Sequence, residues 1–356
     1  MSRRLPFLLL PLLLLTACTS RPAVSVSVTE GDTLVLRHAH YFQVVEHGDS
    51  LDVTILSPWQ PGTTLQHLVV TQPLSHAAVF TSAHAALLAE LGCVDAIAGI
   101  CEPQYVSDCT LRKALADGRL RDLGSAMTPN RELLAEVAPD ALLLSPFENV
   151  GTYGNLEQLG IRMVWCADYM EPTALGRAEW MRLYGRLFGC GDRADSLFAA
   201  VERRYRQTAE VAMQSDVHPT VIFDTPIGST WHMPGGASTL GQMVADAGGR
   251  YLFADGGLGG SVPYSFEQVY ARGRDADVWL VRYSAPTPLT RSGLSAQHPS
   301  FRDFRALQTG RVYGCNNSDL VFFERYPFHP DLLLADFSAI LQESPQPLHF
   351  FHPLQP

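Results

Sequence analysis

Asn130-Arg131-Glu132-Leu133-Leu134-Ala135-Glu136-Val137-Ala138-Pro139-Asp140-Ala141-Leu142-Leu143-Leu144 has an echo about half a chain later. The echo is Ser265-Phe266-Glu267-Gln268-Val269-Tyr270, running on to Asp275-Ala276-Asp277-Val278-Trp279-Leu280-Val281. Each opens with a capping residue, Asn130 or Ser265, and a glutamate in the first turn of a short helix. Such residues favour helix starts because they satisfy free N–H groups and the positive dipole end. Each helix then drops through an acidic turn into a continuous apolar run, the mark of a strand covered on both faces. The pair predicts two similar α/β lobes with parallel sheets, one glutamate in a comparable place on each.

Alternation of strand and helix spreads outward from both units. Ala77–Phe80, Ala96–Ile100, Ala141–Ser145 and Met163–Ala167 read as strands of a first lobe, and Thr220–Asp224, Val278–Val281 and Arg311–Cys315 as strands of a second. Such alternation implies parallel sheets. Between them Trp180, Leu183, Tyr184 and Leu187, then Leu197, Phe198, Val201 and Tyr205, recur at helical spacing. This predicts a long joining helix, kinked or broken at Gly189-Cys190-Gly191-Asp192. Thr33–Val70 reads as a β-hairpin turning at Glu46–Ser50. The expected organisation is a leader over 1–17, a tether and β extension over 18–71, lobes over 72–168 and 216–343, a linking helix over 169–215, and a loosely held tail over 344–356.

Met1-Ser2-Arg3-Arg4, the leucine run to Leu15 and Thr16-Ala17-Cys18 make a secretory leader, too short for a comfortable transmembrane span. Leu15-Thr16-Ala17-Cys18 also fits a bacterial lipobox with Cys18 as the lipid anchor; the alternative is an ordinary leader with a chance cysteine. Removing Arg3 and Arg4 leaves 24 basic against 36 acidic residues. So acidic a chain, without a basic cluster, is a poor nucleic-acid binder. Cys93, Cys101, Cys109, Cys166, Cys190 and Cys315 show no close spacing of a zinc site, which leaves buried thiols or one or two bridges open.

Several blocks in order resemble a known family. They are Pro129-Asn130-Arg131-Glu132 with Ala138-Pro139-Asp140, Leu159-Gly160-Ile161, Trp231 with Pro234-Gly235-Gly236, Asp246-Ala247-Gly248-Gly249, and Thr309-Gly310-Arg311-Val312-Tyr313. Over roughly 72–341 the chain resembles the helical-backbone (class III) substrate-binding proteins of ABC importers, which deliver iron-siderophores, haem or cobalamin. Asp168-Tyr169-Met170-Glu171 with Leu175–Trp180 is similar to the branch of Bacteroidetes-type lipoproteins. The resemblance implies a lipid-anchored periplasmic monomer, without catalytic role or resident cofactor, serving a permease and ATPase complex. It also implies that Glu132 and Glu267 dock onto permease arginines. Charge pairs of that kind supply steering and register.

Ligands of open α/β lobes sit at the carboxyl ends of the strands. There the sequence offers Tyr105 and Tyr153 in the first lobe and Trp231, His232, Phe322, Phe323 and Arg325 in the second, with Glu102, Gln104, Phe147, Glu148, Tyr326 and the glycine-rich Asp255–Ser261 nearby. Aromatics with few charges suit a large, flat, partly apolar ligand such as an iron or cobalt chelate. In the family, Tyr105 stands where a tyrosine contacts corrinoids or ligates haem iron, and Arg325 matches a cleft arginine. One competing reading is a binding protein for a bare metal ion such as zinc, using His84, His232 and His329. Another is an anchored chelate-processing enzyme, for which no nucleophile elbow, P-loop or His-Glu-x-x-His motif is present.

Overall fold

The two echoed units fold alike in the computed structural model, which describes residues 31–148, 153, 156–319 and 321–356. The leader, Cys18 and most of the tether lie outside the described residues. The first lobe runs β5 (Ala77–Val79), α1 (Ser82–Glu90), β6 (Ile97–Ile100), α2 (Cys109–Ala116), β7 (Arg121–Asp122), α3 (Arg131–Val137), β8 (Ala141–Leu144) and β9 (Met163–Trp165), after an extension of β1 (Asp32–Thr33), β2 (Phe42–His47), β3 (Ser50–Leu56) and β4 (Thr64–Val70). Its five strands lie parallel in the order β7-β6-β5-β8-β9. The helices α4 (Ala174–Glu179), α5 (Met181–Leu187) and α6 (Gly191–Ala212) follow.

The second lobe holds β10 (Thr220–Phe223), β11 (Thr230–Pro234), α7 (Thr239–Asp246), β12 (Arg250–Tyr251), β13 (Ser261–Ser265), α8 (Phe266–Gly273), β14 (Val278–Tyr283), α9 (Arg291–Gln297), α10 (Arg305–Thr309), β15 (Val312–Asn316), α11 (Val321–Arg325), α12 (Pro330–Leu341) and β16 (His352–Pro353). Its sheet order is β12-β10-β14-β15-β16, parallel except for the last strand. The repeat reaches individual hydrogen bonds. Asn130 Oδ1 accepts from Leu133 N at 3.0 Å, and Ser265 Oγ accepts from Gln268 N at 3.3 Å in a capping box. The acidic turns have matching tasks. Asp140 accepts from Ser75 N and His76 N, just ahead of β5. Asp277 accepts from Thr220 N and Oγ1, where β10 begins. Each carboxylate thus holds the neighbouring central strand in register. Ala141–Leu144 and Val278–Val281 are buried throughout, as their unbroken apolar pattern requires.

The joining segment is three helices, with the break between α5 and α6 falling at Gly189–Gly191 as the sequence indicated. Gly189 takes φ +71°, a left-handed conformation that ends α5. At Gly185 a Cβ would lie 2.3 Å from the Cβ of Ala194, so the missing side chain lets α5 and α6 cross closely. At 22 residues, α6 is about 33 Å long.

The extension is larger than a hairpin: a four-stranded antiparallel sheet whose inner face carries Phe42, Val44, Val53, Ile55, Leu68 and Val70, all buried. Phe42 packs edge-on against Trp180, with ring centres 4.9 Å apart. Two buried carboxylates, Glu171 just ahead of α4 and Glu179 at its end, tie it down. Glu179 accepts from Arg37, His38 and Ala39 N–H groups, and Glu171 accepts from His40 N, Tyr41 N and Trp180 Nε1. Gln66 on β4 donates to Met163 O and accepts from Trp165 N, which closes the open edge of β9. The tail is also held, against expectation. Phe350, Phe351 and Leu354 are buried, β16 pairs with β15, and Asp336 accepts from the N–H groups of His349, Phe350 and Phe351.

Candidate functional site

The carboxyl ends of both parallel sheets converge on one seam. Ser107, in the loop after β6, donates through its N–H at 2.7 Å and through its hydroxyl to Glu324 on α11, which follows β15. Beside it, His329 bonds Glu90 at 2.7 Å. Burial alone would raise the Glu90 carboxyl, but the His329 bond and the charges of His329, Arg325 and Arg193 together outweigh it and hold the group below its ordinary range. A hollow of about 360 Å³ opens along this seam, lined by Ala86, Leu87, Glu90, Ser107 and Asp108 of one lobe and Val321, Glu324, Arg325, Phe328 and His329 of the other.

Apolar side chains are left exposed where these loops are. Of the thirteen exposed large apolar residues among those described, eight lie on strand-end loops or the short α11. Lobe one supplies Tyr105, Met127, Phe147 and Tyr169, and lobe two Ile227, Leu258, Val321 and Phe323. Tyr105 sits in a 3₁₀ turn entered through Glu102 at φ +54° and is 51% exposed. Tyr153 is half-buried; its hydroxyl donates to Ser145 O at 2.9 Å and its ring stands edge-on to Phe80. Burial pushes its phenol above the ordinary value. Phe323 and Arg325 are exposed on α11, two residues apart.

Three sequence expectations change here. Trp231 does not line the cleft: it is fully buried, its ring packed among Trp279, Phe266, Phe301 and Phe304 and its Nε1 donating to Phe223 O. On β11 alternate residues point inward, so Trp231 and Met233 enter the core and His232 faces outward, exposed. Of the two adjacent phenylalanines on α11 only Phe323 is exposed; Phe322 is buried and stacks on Tyr326, whose hydroxyl bonds Thr239. The three histidines of the metal-ion reading lie apart. His84 is buried against Asp168, His329 pairs with Glu90, and His232 stands alone on β11. No group of three or more metal-ligating side chains converges among the described residues.

The sequence missed one charged feature of the cleft. Asp224, directly after β10, adopts φ +55°, unusual for a residue with a side chain. Arg282, at the end of β14, grips it with two bonds, Nε to Oδ1 at 3.1 Å and Nη2 to Oδ2 at 2.5 Å. Trp279 Nε1 donates to Asp224 O at 2.7 Å. Burial works against the Arg282 charge, and Asp224 more than offsets it, raising the guanidinium further. Such held backbone strain clusters at functional sites. Nothing in the local sequence marks it, because the partner is 58 residues away.

Glu132 and Glu267 are both exposed in the first turns of α3 and α8. Asn130 N bonds Leu123 O just beyond β7, and Ser265 pairs with Thr230, itself bridged to Ile227 in the loop after β10. The two carboxylates therefore stand at the rim of the strand-end surface, one per lobe. A larger hollow of about 650 Å³ lies elsewhere, between the extension and the α5–α6 joint. Its Arg186 is paired with Glu46 and Asp195.

With this geometry in view, the sequence model for periplasmic binding proteins matches residues 78–318. The chain belongs to that family. Among its relatives is an uncharacterized lipoprotein of Methanocaldococcus jannaschii, 26% identical over 298 residues that cover 80% of this chain and 69% of the relative. The fold is shared with an Fe3+-hydroxamate transport protein of Saccharomonospora viridis (TM-score 0.61, 20% identity, 83% of this chain and 99% of that one). It is shared equally with a haem-binding periplasmic protein of a Roseiflexus species (TM-score 0.58, 20% identity, 76% and 100%). The extension over β1–β4 lies ahead of the family match.

Proposed function

We propose that the protein captures a metal chelate, an iron-siderophore, haem or a corrinoid, between its lobes and delivers it to an ABC permease. The observation that carries this reading is the concentration of exposed aromatic and aliphatic side chains on the strand-end loops of both lobes. A bare ion would need converging His and carboxylate ligands. A flat chelate instead needs apolar platforms with a few polar groups, which Tyr105, Tyr153 and Phe323 with His232 and Arg325 supply. The chelates named for the related structures support the same class. Glu132 and Glu267 serve delivery: rim carboxylates on separate lobes meet permease arginines, and their separation depends on lobe angle. Anchoring through Cys18 keeps the protein at a membrane outside the cytoplasm, consistent with a lipoprotein relative. Binding alone, with no turnover of the chelate, is expected.

The test is titration of anchor-free protein with haem, cobalamin and a ferric-siderophore panel, read by tryptophan fluorescence. Trp165 is a suited reporter, partly buried with its ring 6.3 Å from that of Tyr153. Saturable quenching by one member supports the reading. Absence of binding across the panel, with zinc bound tightly, would replace it with the metal-ion reading.

A further inference from the structure

We propose that Cys93 and Cys190 are joined by a disulfide in the mature protein, pinning the end of α1 to the joint between α5 and α6. Their Sγ atoms lie 3.1 Å apart although the residues are 97 positions apart in sequence. Both backbones are fixed by their own turns. Cys93 follows Gly92 at φ +75° and its N–H bonds Leu88 O at 2.8 Å; Cys190 follows Gly189 at φ +71° and its N–H bonds Gly185 O at 2.7 Å. The thiols are thus brought together by two separately built turns, not by a flexible loop.

The surroundings reinforce the placement. Arg193, within the first turn of α6, donates to Glu90 O at the end of α1. The Glu90 carboxylate in turn bonds His329, which precedes α12 of the second lobe. The pair therefore stands where the first lobe, the joining helices and the second lobe meet. Among the other described cysteines, Cys101, Cys166 and Cys315 are buried and Cys109 is exposed, none within bonding reach of another. Burial, then the neighbouring Cys93 thiol, pushes the Cys190 thiol up to about 12. A thiol so suppressed reacts slowly once folded, so the bond forms while the chain folds.

The chemistry balances as thiol–disulfide exchange. One cysteine thiolate attacks a disulfide oxidant, giving a mixed disulfide and releasing one thiol. The second cysteine displaces the other, so the oxidant leaves as two thiols carrying both hydrogens. The inference rests on the extracytoplasmic location proposed above, where such oxidants act.

Protein purified from the cell envelope, denatured without reductant in N-ethylmaleimide and digested, should yield one cross-linked peptide joining Cys93 to Cys190, with Cys101, Cys109, Cys166 and Cys315 alkylated. Alkylation of both Cys93 and Cys190 overturns the proposal. Refolding the reduced, denatured protein in the presence of oxidised glutathione then locates the fault: linkage there assigns the failure to the compartment, and none assigns it to the geometry. Closing so long a loop should also raise Tm by about 4–10 °C, lost on adding reductant. The double variant Cys93→Ser/Cys190→Ser should show no reductant effect. A wild-type Tm indifferent to reductant also counts against the bond.

Discussion

Replacing Glu179 with alanine should release the N-terminal sheet while the two lobes stay folded. Glu179 is fully buried. Its carboxylate accepts from the N–H groups of Arg37 at 3.1 Å, His38 at 2.7 Å and Ala39 at 2.9 Å, and it pairs with Arg182 Nη1 at 3.0 Å. Alanine leaves three backbone donors and one guanidinium without that acceptor. Each stranded donor costs about 1–3 kcal/mol, reduced where water can enter. Breaking a buried charged pair costs about 3–5 kcal/mol. Arg182 keeps Asp195 as a partner at 2.8 Å, which limits the second term. A total near 3–5 kcal/mol is expected, concentrated on residues 37–56. Read by hydrogen exchange, that is a loss of protection of about 150- to 5000-fold in β2 and β3. Exchange in β8 and β14 should change far less. Glu179→Gln keeps one acceptor oxygen and should fall between. Unchanged protection at 37–56, or an equal loss in every strand, would refute the view that this carboxylate fastens the extension locally.

Asp168 accepts from His84, Arg177 and Tyr184; burial raises its carboxyl, but these partners outweigh burial and hold it below the ordinary range. Its contribution is therefore complete above the unfolded carboxylate pKa of about 4 and is lost as pH falls through the depressed folded value, so urea unfolding of Asp168→Asn should show lower stability at neutral pH and a shallower acid limb. Tyr105→Ala and Phe323→Ala should each weaken chelate affinity by about 2 kcal/mol, roughly 30-fold, without lowering Tm, whereas Trp231→Ala should cost about 3–5 kcal/mol of stability because it empties a core site; titration and thermal melts distinguish the two classes. Glu132→Arg with Glu267→Arg should leave chelate binding intact but abolish stimulation of transporter ATP hydrolysis, and normal stimulation would reduce both residues to helix-start acids.

The repeat was legible in the sequence because its parts are local. A cap, a first-turn acid, an acidic turn and an unbroken apolar run all act within about four residues of one another. What stayed hidden depends on partners far along the chain. Glu171 and Glu179 hold backbone 130 to 142 residues earlier, so the extension read as an appended hairpin. The tail looked loose from its prolines and histidines, yet Asp336 binds three of its N–H groups from α12. Trp231 was misplaced for a different reason: its position near a strand end was readable, but the face it takes follows from the pairing of β11 with β13. The Asp224–Arg282 grip needs two strands to be neighbours before it exists at all.

These long-range ties bear on how the lobes can move. The junction is three packed helices, with α5 crossing α6 closely at Gly185, rather than flexible strands. Ser107–Glu324 and Glu90–His329 bridge the lobes. Arg204 of α6 also grips Asp331 of α12 at 2.6 Å, fixing the joining helix to the second lobe. A wide hinge opening would break both bridges, one of them to the buried Glu324, and each lost charged bond costs about 1.5–3 kcal/mol. The cleft should therefore be largely pre-formed, with affinity coming from side chains already in place rather than from closure. Small-angle scattering with and without saturating chelate should give superimposable curves and radii of gyration. Glu324→Ala together with His329→Ala should introduce a ligand-dependent compaction that the wild type lacks. A large compaction of the wild-type protein on binding would show that the bridges are weak and would refute the pre-formed cleft.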